Sequence, residues 1–338
     1  MKKYFVILIT VSGFFLFASS FAGDERPGAV ELGQQLFADP ILSKDGRISC
    51  ASCHIPGFAF ADTARVSTGV FGRKGSRNSP SAMNLLSRRP FFWDGRASTL
   101  EEQALAPIEN PDEMALPLDS ALERLRRSNY YNELFRQVYQ AAPNRENLAA
   151  AIAAFERTLE TTESPFDNWK FSGDSNLVSA SVRRGFELFS TKGKCTQCHF
   201  GSDFTANEFR NIGLYNGVDF NDSGRAVISG RLEDLGKFKT PGLRNVGITA
   251  PYMHNGAFHK LIDVVNFYNE GGGAGLGLDV PNQTLPGNKL NLTEQEKNDI
   301  IAFLESLTDS SYDASVPTTL PSFTNNTQLN NRKIGGKY

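Results

Sequence analysis

The strongest constraint on the fold is a five-residue motif, Cys-x-x-Cys-His, that occurs twice in a chain of 338 residues. The first copy occupies residues 50–54 and the second residues 195–199, so the two copies start 145 residues apart. Together they use all four cysteines and two of the four histidines of the chain. Because the rarest reactive side chains fall into two identical clusters, the sequence predicts two equivalent sites, one in each half.

Each copy is flanked by the same two helical signatures. A Gly-x-x-Leu-Phe pattern precedes each motif, beginning at Gly33 in the first half and at Gly185 in the second. An Ile-x-Ala-Phe-x-x-[Ser/Thr]-Leu pattern follows each motif, beginning at Ile152 and at Ile300. Because three markers recur in one order at nearly one period, we interpret the chain as a tandem duplication.

Cys-x-x-Cys-His is the attachment signature of c-type haem. The two thiols add to two vinyl groups of the haem, and the adjacent imidazole is carried beneath the ring to coordinate the iron. The sequence therefore predicts two covalently bound haem c groups. The expected attachment and iron-binding residues are Cys50, Cys53, His54, Cys195, Cys198 and His199.

Three other uses of the cysteines agree less well with the sequence. A zinc site needs four convergent ligands, so the two motifs would supply one only if the two halves met there. A thioredoxin-like redox pair needs a βαβ context, which the sequence pattern lacks. A disulfide within one motif would be strained and easily reduced.

Composition is that of an ordinary globular protein. The chain has 35 Lys and Arg residues against 37 Asp and Glu residues, and no basic stripe indicates nucleic acid as a partner. Its 26 phenylalanines suit packing against the flat apolar faces of haem. Alternating strand patterns are nearly absent, so we predict an all-α fold.

The first residues predict export. A charged start, an apolar run over residues 4–17 and small residues before a cleavage point after Ala22 are typical of a secretory signal peptide over residues 1–22. We therefore expect a periplasmic protein with no membrane insertion after the signal is removed.

The remaining chain is expected to form an N-terminal domain over residues 23–165, a C-terminal domain over residues 166–309 and an irregular tail over residues 310–338. The pattern predicts a helix over residues 121–139, a linker over residues 164–180 and a mobile glycine-rich loop from Glu270 to Gly277. A capping box beginning at Thr293 is expected to open the last helix.

The role of each haem depends on its second axial position, because a haem closed on both faces transfers electrons and an open haem binds small molecules. Outside the two motifs the histidines are His254 and His259, and the methionine candidates are Met83, Met114 and Met253. No histidine lies between the two motifs, so we expect the first haem to stay open on its distal face.

Five further segments carry a resemblance to a known family: residues 91–96 (FFWDGR), 100–105 (LEEQAL), 110–114 (NPDEM), 240–246 (TPGLRNV) and 249–256 (TAPYMHNG). Their order and spacing resemble those of the bacterial di-haem cytochrome c peroxidase family. The family includes MauG, an enzyme that matures a tryptophan-derived cofactor in another protein. The resemblance extends from about Val30 to about Asp309.

The resemblance implies two tandem cytochrome c-like domains, with a peroxidatic haem in the N-terminal domain and an electron-transfer haem in the C-terminal domain. By motif position, Glu113 is the expected acid and base beside bound peroxide, and Gln103 is a polar residue of the same pocket. A carboxylate above an open iron can move a proton between the two peroxide oxygens. Trp93 matches the indole between the haems; from the residues alone, core packing is its other interpretation.

The resemblance also implies a calcium ion between the domains. Asn78 matches its side-chain ligand, and the backbone carbonyls of Thr249 and Pro251 match its other protein ligands. Oxygen donors of this kind suit calcium. A plain turn role is the alternative for Asn78.

Two features depart from the peroxidases of this family. Many of them carry a histidine that caps the peroxidatic haem, and this chain has none there. Fourteen residues after His254, where those peroxidases have methionine and MauG has tyrosine, this chain has Tyr268. The resemblance therefore implies a second haem bound by His199 and Tyr268, with Met253 or His254 as the alternative ligand. MauG has a charge-relaying tryptophan two residues before its second motif, whereas this chain has Gly193.

We therefore expect a di-haem peroxidase that reduces hydrogen peroxide to water. A small cytochrome c or copper protein is the expected electron donor, and a homodimer is one option for the assembly. The first alternative is a MauG-like enzyme that oxidises residues of a partner protein. An alternative from another class is a non-catalytic di-haem electron carrier, which would not need Glu113 and Gln103 over an open iron.

Overall fold

The computed structural model describes residues 26–218, 220–323 and 326–336, so the expected signal peptide over residues 1–22 lies outside the described residues. Within these ranges helices alternate with long irregular connections, and one antiparallel pair of two-residue strands forms the sheet. This mostly helical architecture confirms the predicted all-α class. No helix of the described part is both long enough and apolar enough to span a membrane.

Helices form the frame of both halves. Those of the first half are α1 (Ala29–Ala38), α2 (Cys50–Cys53), α3 (Leu100–Glu109), α4 (Leu118–Arg127), α5 (Asn129–Tyr139) and α6 (Arg145–Glu156). Those of the second half are α7 (Pro165–Ser172), α8 (Ala180–Ser190), α9 (Ala226–Ser229), α10 (Leu261–Asn269), α11 (Gly272–Gly275) and α12 (Glu294–Glu305). The strands are β1 (Phe209–Arg210) and β2 (Phe238–Lys239). Short 3₁₀ helices span Pro40–Leu42, Pro56–Phe58, Val70–Gly72, Ser175–Leu177, Cys195–Gln197, Leu232–Asp234, Val246–Ile248 and Thr327–Asn331.

Each half is organised around one close crossing of two helices. In the first half α1 packs most extensively on α6, and in the second half α8 packs most extensively on α12. A Cβ at Gly33 would overlap the carbonyl oxygen of Ala151, and a Cβ at Gly185 would overlap that of Asp299. The repeated Gly-x-x-Leu-Phe pattern therefore marks the same helix contact in both halves.

A further marker of the repeat, Pro-x-x-x-Asn, becomes visible only in the structure. Asn84 and Asn245 are buried and left-handed, with φ angles of 56° and 60°. The Oδ1 of Asn84 accepts the N–H of Thr161 at 2.9 Å, and the Oδ1 of Asn245 accepts the N–H of Asp309 at 2.7 Å. Asparagine suits this position because it tolerates a positive φ and its amide can bond to the backbone. Each asparagine ties the loop that follows a Cys-x-x-Cys-His motif to the chain after α6 or α12.

The prediction of one helix over residues 121–139 is wrong, because the structure has two helices, α4 and α5, with a break at Ser128. The Ser128 backbone is extended, which ends α4. Its hydroxyl accepts the N–H of Tyr131 at 3.3 Å, so the same residue caps the start of α5. Both helices still turn apolar side chains towards the core.

The prediction of a plain linker over residues 164–180 is also corrected, because this segment contains α7. A capping box opens the helix: the N–H of Asp167 donates to the Ser164 hydroxyl at 3.2 Å, and the N–H of Ser164 donates to the Asp167 carboxylate at 3.1 Å. Phe166 of α7 packs into the core of the second half, 5.3 Å from the Phe303 ring. The packing of Phe166 against Phe303 stabilises a helix here despite the turn-forming composition of the segment.

The glycine-rich segment from Glu270 to Gly277 is packed rather than loose, and it contains α11. A Cβ at Gly273 would overlap the backbone of Gly213, so the two chain segments touch directly. The predicted capping box of the last helix is confirmed, since the hydroxyl of Thr293 accepts the N–H of Glu296 at 3.2 Å.

The chain after residue 310 returns to the first half and packs against it. Phe323 and Leu329 join the hydrophobic core of the first half. Arg332 forms a fully buried ion pair with Asp39, with 2.6 Å between Nε and Oδ1, and Tyr131 donates its hydroxyl to the same carboxylate at 2.7 Å. An irregular segment with no sequence period is therefore anchored by tertiary contacts.

Replacing Gly33 with alanine is expected to lower the free energy of unfolding by about 2 kcal/mol, because the added methyl group must push α1 away from the Ala151 carbonyl on α6. Chemical denaturation followed by circular dichroism measures this change. Gly57→Ala is the matched control, since nothing lies within 4 Å of a Cβ at that position. Equal stability of the two variants would contradict the close crossing.

Candidate functional site

His54 is oriented by the chain that follows it. The residue ends α2, and its Nδ1 lies 3.1 Å from the carbonyl oxygen of Phe60. A carbonyl oxygen only accepts hydrogen bonds, so Nδ1 carries the proton and Nε2 keeps a free lone pair. Burial lowers the pKa of His54, which favours the neutral imidazole that binds metal ions.

His199 repeats this arrangement in the second half. Its Nδ1 donates to the carbonyl oxygen of Phe204 at 2.9 Å, and burial lowers its pKa as well. The cysteines before it begin on a 3₁₀ helix rather than on the α-helical turn of the first motif. Both halves therefore present a neutral imidazole beside two cysteine side chains.

The four thiols are free and half-buried. Burial raises the pKa of Cys53 and of Cys195 to about 12, and it also raises the pKa of Cys50 and Cys198. Thiols of this kind stay protonated at neutral pH and are poorly suited to redox exchange. Across the described ranges, no cluster of three or more His, Cys, Asp or Glu side chains could hold a metal ion. The two motifs thus do not converge on a shared zinc site.

An aromatic cluster surrounds the first motif. The ring of Phe37 lies 6.4 Å from the His54 imidazole, 6.0 Å from the Phe60 ring and 5.2 Å from the Phe155 ring. These side chains provide an apolar wall beside the imidazole. Such a wall suits the flat apolar surface of a haem.

A cavity of about 340 Å³ lies against the second motif, where the two halves meet. Both His199 and Tyr268 border it. Much of the remaining wall is apolar and includes Phe189, Leu261, Val265, Leu292, Ile300 and Leu304. A neutral imidazole at the edge of an apolar slot is the arrangement that a haem ligand requires.

Positively charged side chains border this cavity, and two of their donors have no acceptor. The Nε atoms of Arg88 and Arg210 are buried without a hydrogen-bond partner. Burial, together with the nearby Arg88, lowers the pKa of Lys239 to about 7. Buried donors without acceptors destabilise a protein, so this rim favours a ligand that carries carboxylates. A haem, which is flat, apolar and edged by two carboxylates, fits both the walls and the rim.

Glu113 is the acidic residue predicted from the sequence, and the structure brings it to the first motif. Burial raises the pKa of its carboxyl, Arg96 lowers it, and the amide of Asn110 donates to its Oε1 at 2.6 Å. The charge of Glu113 adds to burial in raising the pKa of Cys50 and Cys53, so the carboxyl lies near both. A carboxyl with a raised pKa keeps its proton to a higher pH than usual, which suits proton exchange.

Trp93 and Gln103, the other two predicted catalytic residues, differ in their placement. Trp93 borders the large cavity between the halves, and its Nε1 donates to the carbonyl oxygen of Asn78 at 2.8 Å. Its own carbonyl oxygen accepts the N–H of Lys239 at 2.8 Å, so it bonds to both halves. Gln103 lies half-buried on α3, and no contact among the described residues joins it to Glu113.

The three expected calcium ligands lie around the same cavity as Trp93. Asn78, Thr249 and Pro251 all border it. The amide nitrogen of Asn78 donates towards the carbonyl oxygens of Ala64 at 3.2 Å and Arg65 at 3.4 Å. The amide oxygen therefore points away from these carbonyls, as a cation ligand must.

Tyr268 enters the large cavity from α10. Burial raises the pKa of its hydroxyl, and Cys195 and Cys198 raise it further, so the phenol keeps its proton until a cation approaches. Met253, an alternative ligand, borders the same cavity. The structure thus brings both candidates to the neighbourhood of His199.

His254 and Gly193 also border this cavity, and both bear on the choice between a peroxidase and a MauG-like enzyme. The ring of His254 stacks on Phe238 with 3.5 Å between centroids, and burial lowers its pKa to about 4. A Cβ at Gly193 would lie 2.9 Å from the carbonyl oxygen of Leu188, so a larger residue there requires the neighbouring backbone to shift.

Glu156 is a candidate that the sequence patterns did not single out. It is 5% exposed on α6, and its Oε2 has no hydrogen-bond partner. Burial raises the pKa of Glu156 to about 8, while Arg157 lowers it and Glu101 raises it. Comparison of the two repeats could have singled out Glu156, because the equivalent position of the second half is the apolar Leu304. The Glu156 charge also adds to burial in raising the pKa of Cys50, so this acid lies beside the first motif.

A family model and several similar known proteins point to one family. Residues 27–176 match the family model described as di-haem cytochrome c peroxidase. The chain is 38% identical over 285 residues to the methylamine utilization protein MauG of Methylorubrum extorquens, covering 83% of this chain and 78% of that protein. It is 37% identical over 314 residues to the cytochrome-c peroxidase IdrP1 of Denitromonas iodatirespirans, covering 82% and 81%. A crystal structure of a MauG-like protein associated with microbial copper homeostasis has a TM-score of 0.76 and 30% identity, covering 84% of this chain and 90% of that one.

Replacing Glu156 with glutamine is expected to flatten the dependence of stability on pH. In the folded protein the carboxyl keeps its proton up to about pH 8, whereas the unfolded chain releases it near pH 4.5, so its contribution to stability is lost between these values as the pH rises. The loss for the wild type is up to about 5 kcal/mol. Guanidinium denaturation at both ends of this window measures it, and Glu146→Gln on the exposed face of α6 is the control. A variant with the same pH slope as the wild type would refute this assignment.

Proposed function

The chain belongs to the di-haem cytochrome c peroxidase and MauG family, and on that premise we propose that it is an exported peroxidase. Its reaction converts one hydrogen peroxide, two protons and two electrons into two water molecules. The electrons come from a small redox protein, either a cytochrome c or a copper protein. The observation that carries this proposal is the half-buried carboxyl of Glu113, whose charge acts on Cys50 and Cys53.

Haem c is the cofactor that this family implies, with one group in each of two domains, residues 23–165 and 166–309. The first haem is attached at Cys50 and Cys53 and bound by His54, and the second is attached at Cys195 and Cys198 and bound by His199. When bound, the iron supplies the site for peroxide and delivers the electrons for its reduction. The signal sequence over residues 1–22 supports a periplasmic location, where such cytochromes can meet soluble donors.

Glu113 performs the proton transfer. It takes a proton from one peroxide oxygen and returns it to the other, so that water rather than hydroxide leaves when the bond between the oxygens breaks. Asn110 holds one carboxylate oxygen in place at 2.6 Å, which leaves the other to exchange the proton. Gln103 on α3 is assigned to this pocket as a second polar group by its motif position.

Electrons enter near the second motif and reach the first half through the junction. Support for this entry point comes from Phe200, the residue after the second motif, which is 52% exposed. Trp93 carries charge across the junction, where it bonds to both halves. A calcium ion held by Asn78, Thr249 and Pro251 keeps the junction in one geometry.

A second candidate function rests on Tyr268 and the cavity that it shares with His199. A phenolate ligand stabilises ferric iron and lowers the reduction potential, whereas methionine raises it. A low-potential second haem could share oxidation with the first, as an enzyme that oxidises residues of a partner protein requires. Gly193 offers no aromatic relay to such a partner, so peroxide reduction remains our first choice.

Replacing Glu113 with glutamine is expected to slow peroxide reduction by about 10²–10⁴-fold while peroxide still binds, because the amide cannot transfer the proton. Stopped-flow absorption of the all-ferric protein with peroxide measures binding and cleavage. The wild type is expected to react without prior reduction, since no histidine caps the first site. Asp119→Asn, at an exposed position of α4, is the control. Intact mass must show two covalent haems in each protein, and unchanged turnover would remove Glu113 from the mechanism.

Replacing Tyr268 with phenylalanine is expected to change the ferric spectrum of the second haem and to raise its midpoint potential, because the anionic ligand is lost. Electron paramagnetic resonance and a redox titration measure the two effects. Met253→Leu is the comparison, since Met253 borders the same cavity. If Met253→Leu alters the spectrum and Tyr268→Phe leaves it unchanged, methionine is the ligand and the MauG-like candidate loses its support.

A further inference from the structure

The tail after residue 310 touches the first Cys-x-x-Cys-His motif from two sides. On one side the hydroxyl of Ser52, inside the motif, donates to the carbonyl oxygens of Gly335 at 3.0 Å and Gly336 at 3.1 Å. On the other side Tyr312 contacts the turn that follows His54. These contacts lie outside the site described above, and they join the far end of the chain to its first attachment motif.

The turn after His54 has an unfavourable backbone. Ala59 and Phe60 are consecutive non-glycine residues with φ angles of 51° and 53°, in the left-handed region that side chains disfavour. Phe60 supplies the carbonyl oxygen that accepts from Nδ1 of His54 at 3.1 Å. The orientation of the imidazole therefore depends on a turn that other contacts must hold in place.

Two local contacts help to hold this turn: the Ser81 hydroxyl donates to the carbonyl oxygen of Ala59 at 2.6 Å, and the Ala82 N–H donates to that of Phe60 at 3.0 Å. The hydroxyl of Tyr312 adds a contact from the tail. It accepts the N–H of Ala59 at 2.8 Å and donates to the carbonyl oxygen of Pro56 at 3.0 Å. The Tyr312 ring lies 6.1 Å from the Phe60 ring. Ala59 is fully buried, so without the hydroxyl its N–H would lose a partner that water cannot readily replace.

The second half holds the equivalent turn through residues outside the tail, since Arg244 donates from Nε to the carbonyl oxygen of Ser202 at 2.9 Å. There the carbonyl oxygen of Phe204 accepts from His199, and Phe204 is left-handed with a φ of 52°. The other left-handed residue of this turn is Gly201, with a φ of 76°, which adopts the conformation without strain. The tail contact is therefore found in the first half, where the turn places the non-glycine residue Ala59 in the left-handed region.

We infer that Tyr312 is a positioning residue for His54: its hydroxyl holds the 56–60 turn whose carbonyl orients the imidazole. The inference rests on the proposed function in that His54 is taken as the ligand of the first haem. A firm hydrogen bond from Nδ1 makes an imidazole a stronger donor to iron and stabilises the ferric state. The far end of the chain thereby tunes the first haem and leaves the second unaffected.

Replacing Tyr312 with phenylalanine tests the inference, because the ring stays and only the hydroxyl is lost. In the holoprotein with both haems attached, we expect the iron–histidine stretching band of the first haem to move to lower frequency. Its midpoint potential should rise, because the imidazole becomes a weaker donor. Resonance Raman of the ferrous protein and a redox titration give both values, while the bands of the second haem should not move.

Two controls separate this role from general loosening of the tail. Gln34→Ala removes two other tail contacts, to the carbonyl and hydroxyl oxygens of Ser315, and should leave the bands and the potential of the first haem unchanged. Tyr130→Phe removes a hydroxyl from a half-exposed tyrosine of α5 and should also be silent. A Tyr312→Phe variant that only melts earlier, with the first-haem band and potential of the wild type, would overturn the inference.

The wild-type holoprotein distinguishes this failure from a failure of the proposed function. If its mass shows fewer than two covalent haems, or if His54→Gly leaves the first haem spectrum unchanged, the proposed ligation is wrong and the inference falls with it. If both haems are present and His54 is the ligand, the Tyr312→Phe spectra decide the inference alone. Should Tyr312→Phe fail to accumulate, Tyr312→Trp keeps an aromatic ring without the hydroxyl and must show the same shifts.

Discussion

Each of the two sites depends on a hydrogen bond of its own. In it, a histidine donates from Nδ1 to a backbone carbonyl a few residues further along the chain. At His54 the acceptor is Phe60, and at His199 it is Phe204. The bond decides which nitrogen carries the proton, so the other nitrogen is a neutral metal ligand. The helix crossings at Gly33 and Gly185, together with the left-handed turns after each histidine, hold that carbonyl within hydrogen-bond distance of the imidazole.

The two motifs differ in the ionisable side chains around them. The first motif has acids nearby, among them the half-buried Glu113 and the buried Glu156, and burial raises the pKa of both. The cavity of the second motif is bordered instead by cations, among them Arg88 and Lys239. Raised carboxyl pKa values suit proton transfer to a substrate, whereas a buried guanidinium Nε without an acceptor, as in Arg88, suits a ligand with carboxylates at the junction. A duplicated frame thus carries different ionisable side chains at its two motifs.

Much of the fold and part of the site could be predicted from residues that act within a few positions of one another. The all-α class and the capping box at Thr293 are of this kind, because helical periodicity and capping are local. The break at Ser128 was missed because the apolar period continues through it while a single hydroxyl decides the cap. Glu156 escaped notice because an acid at the end of a helix normally faces solvent, and its burial follows only from the crossing of α1 and α6.

By itself the sequence determined the two attachment motifs, the duplication and the family, since covalent attachment needs adjacent cysteines and histidine and duplication leaves ordered repeats. It also pointed to Glu113, Trp93 and Tyr268 through motif position. Only the tertiary structure decided which of these share a cavity, where positively charged side chains gather and how the tail reaches Ala59 through Tyr312. The reason is physical: burial and hydrogen bonding between residues 253 positions apart depend on how the helices pack, and no local pattern encodes that distance.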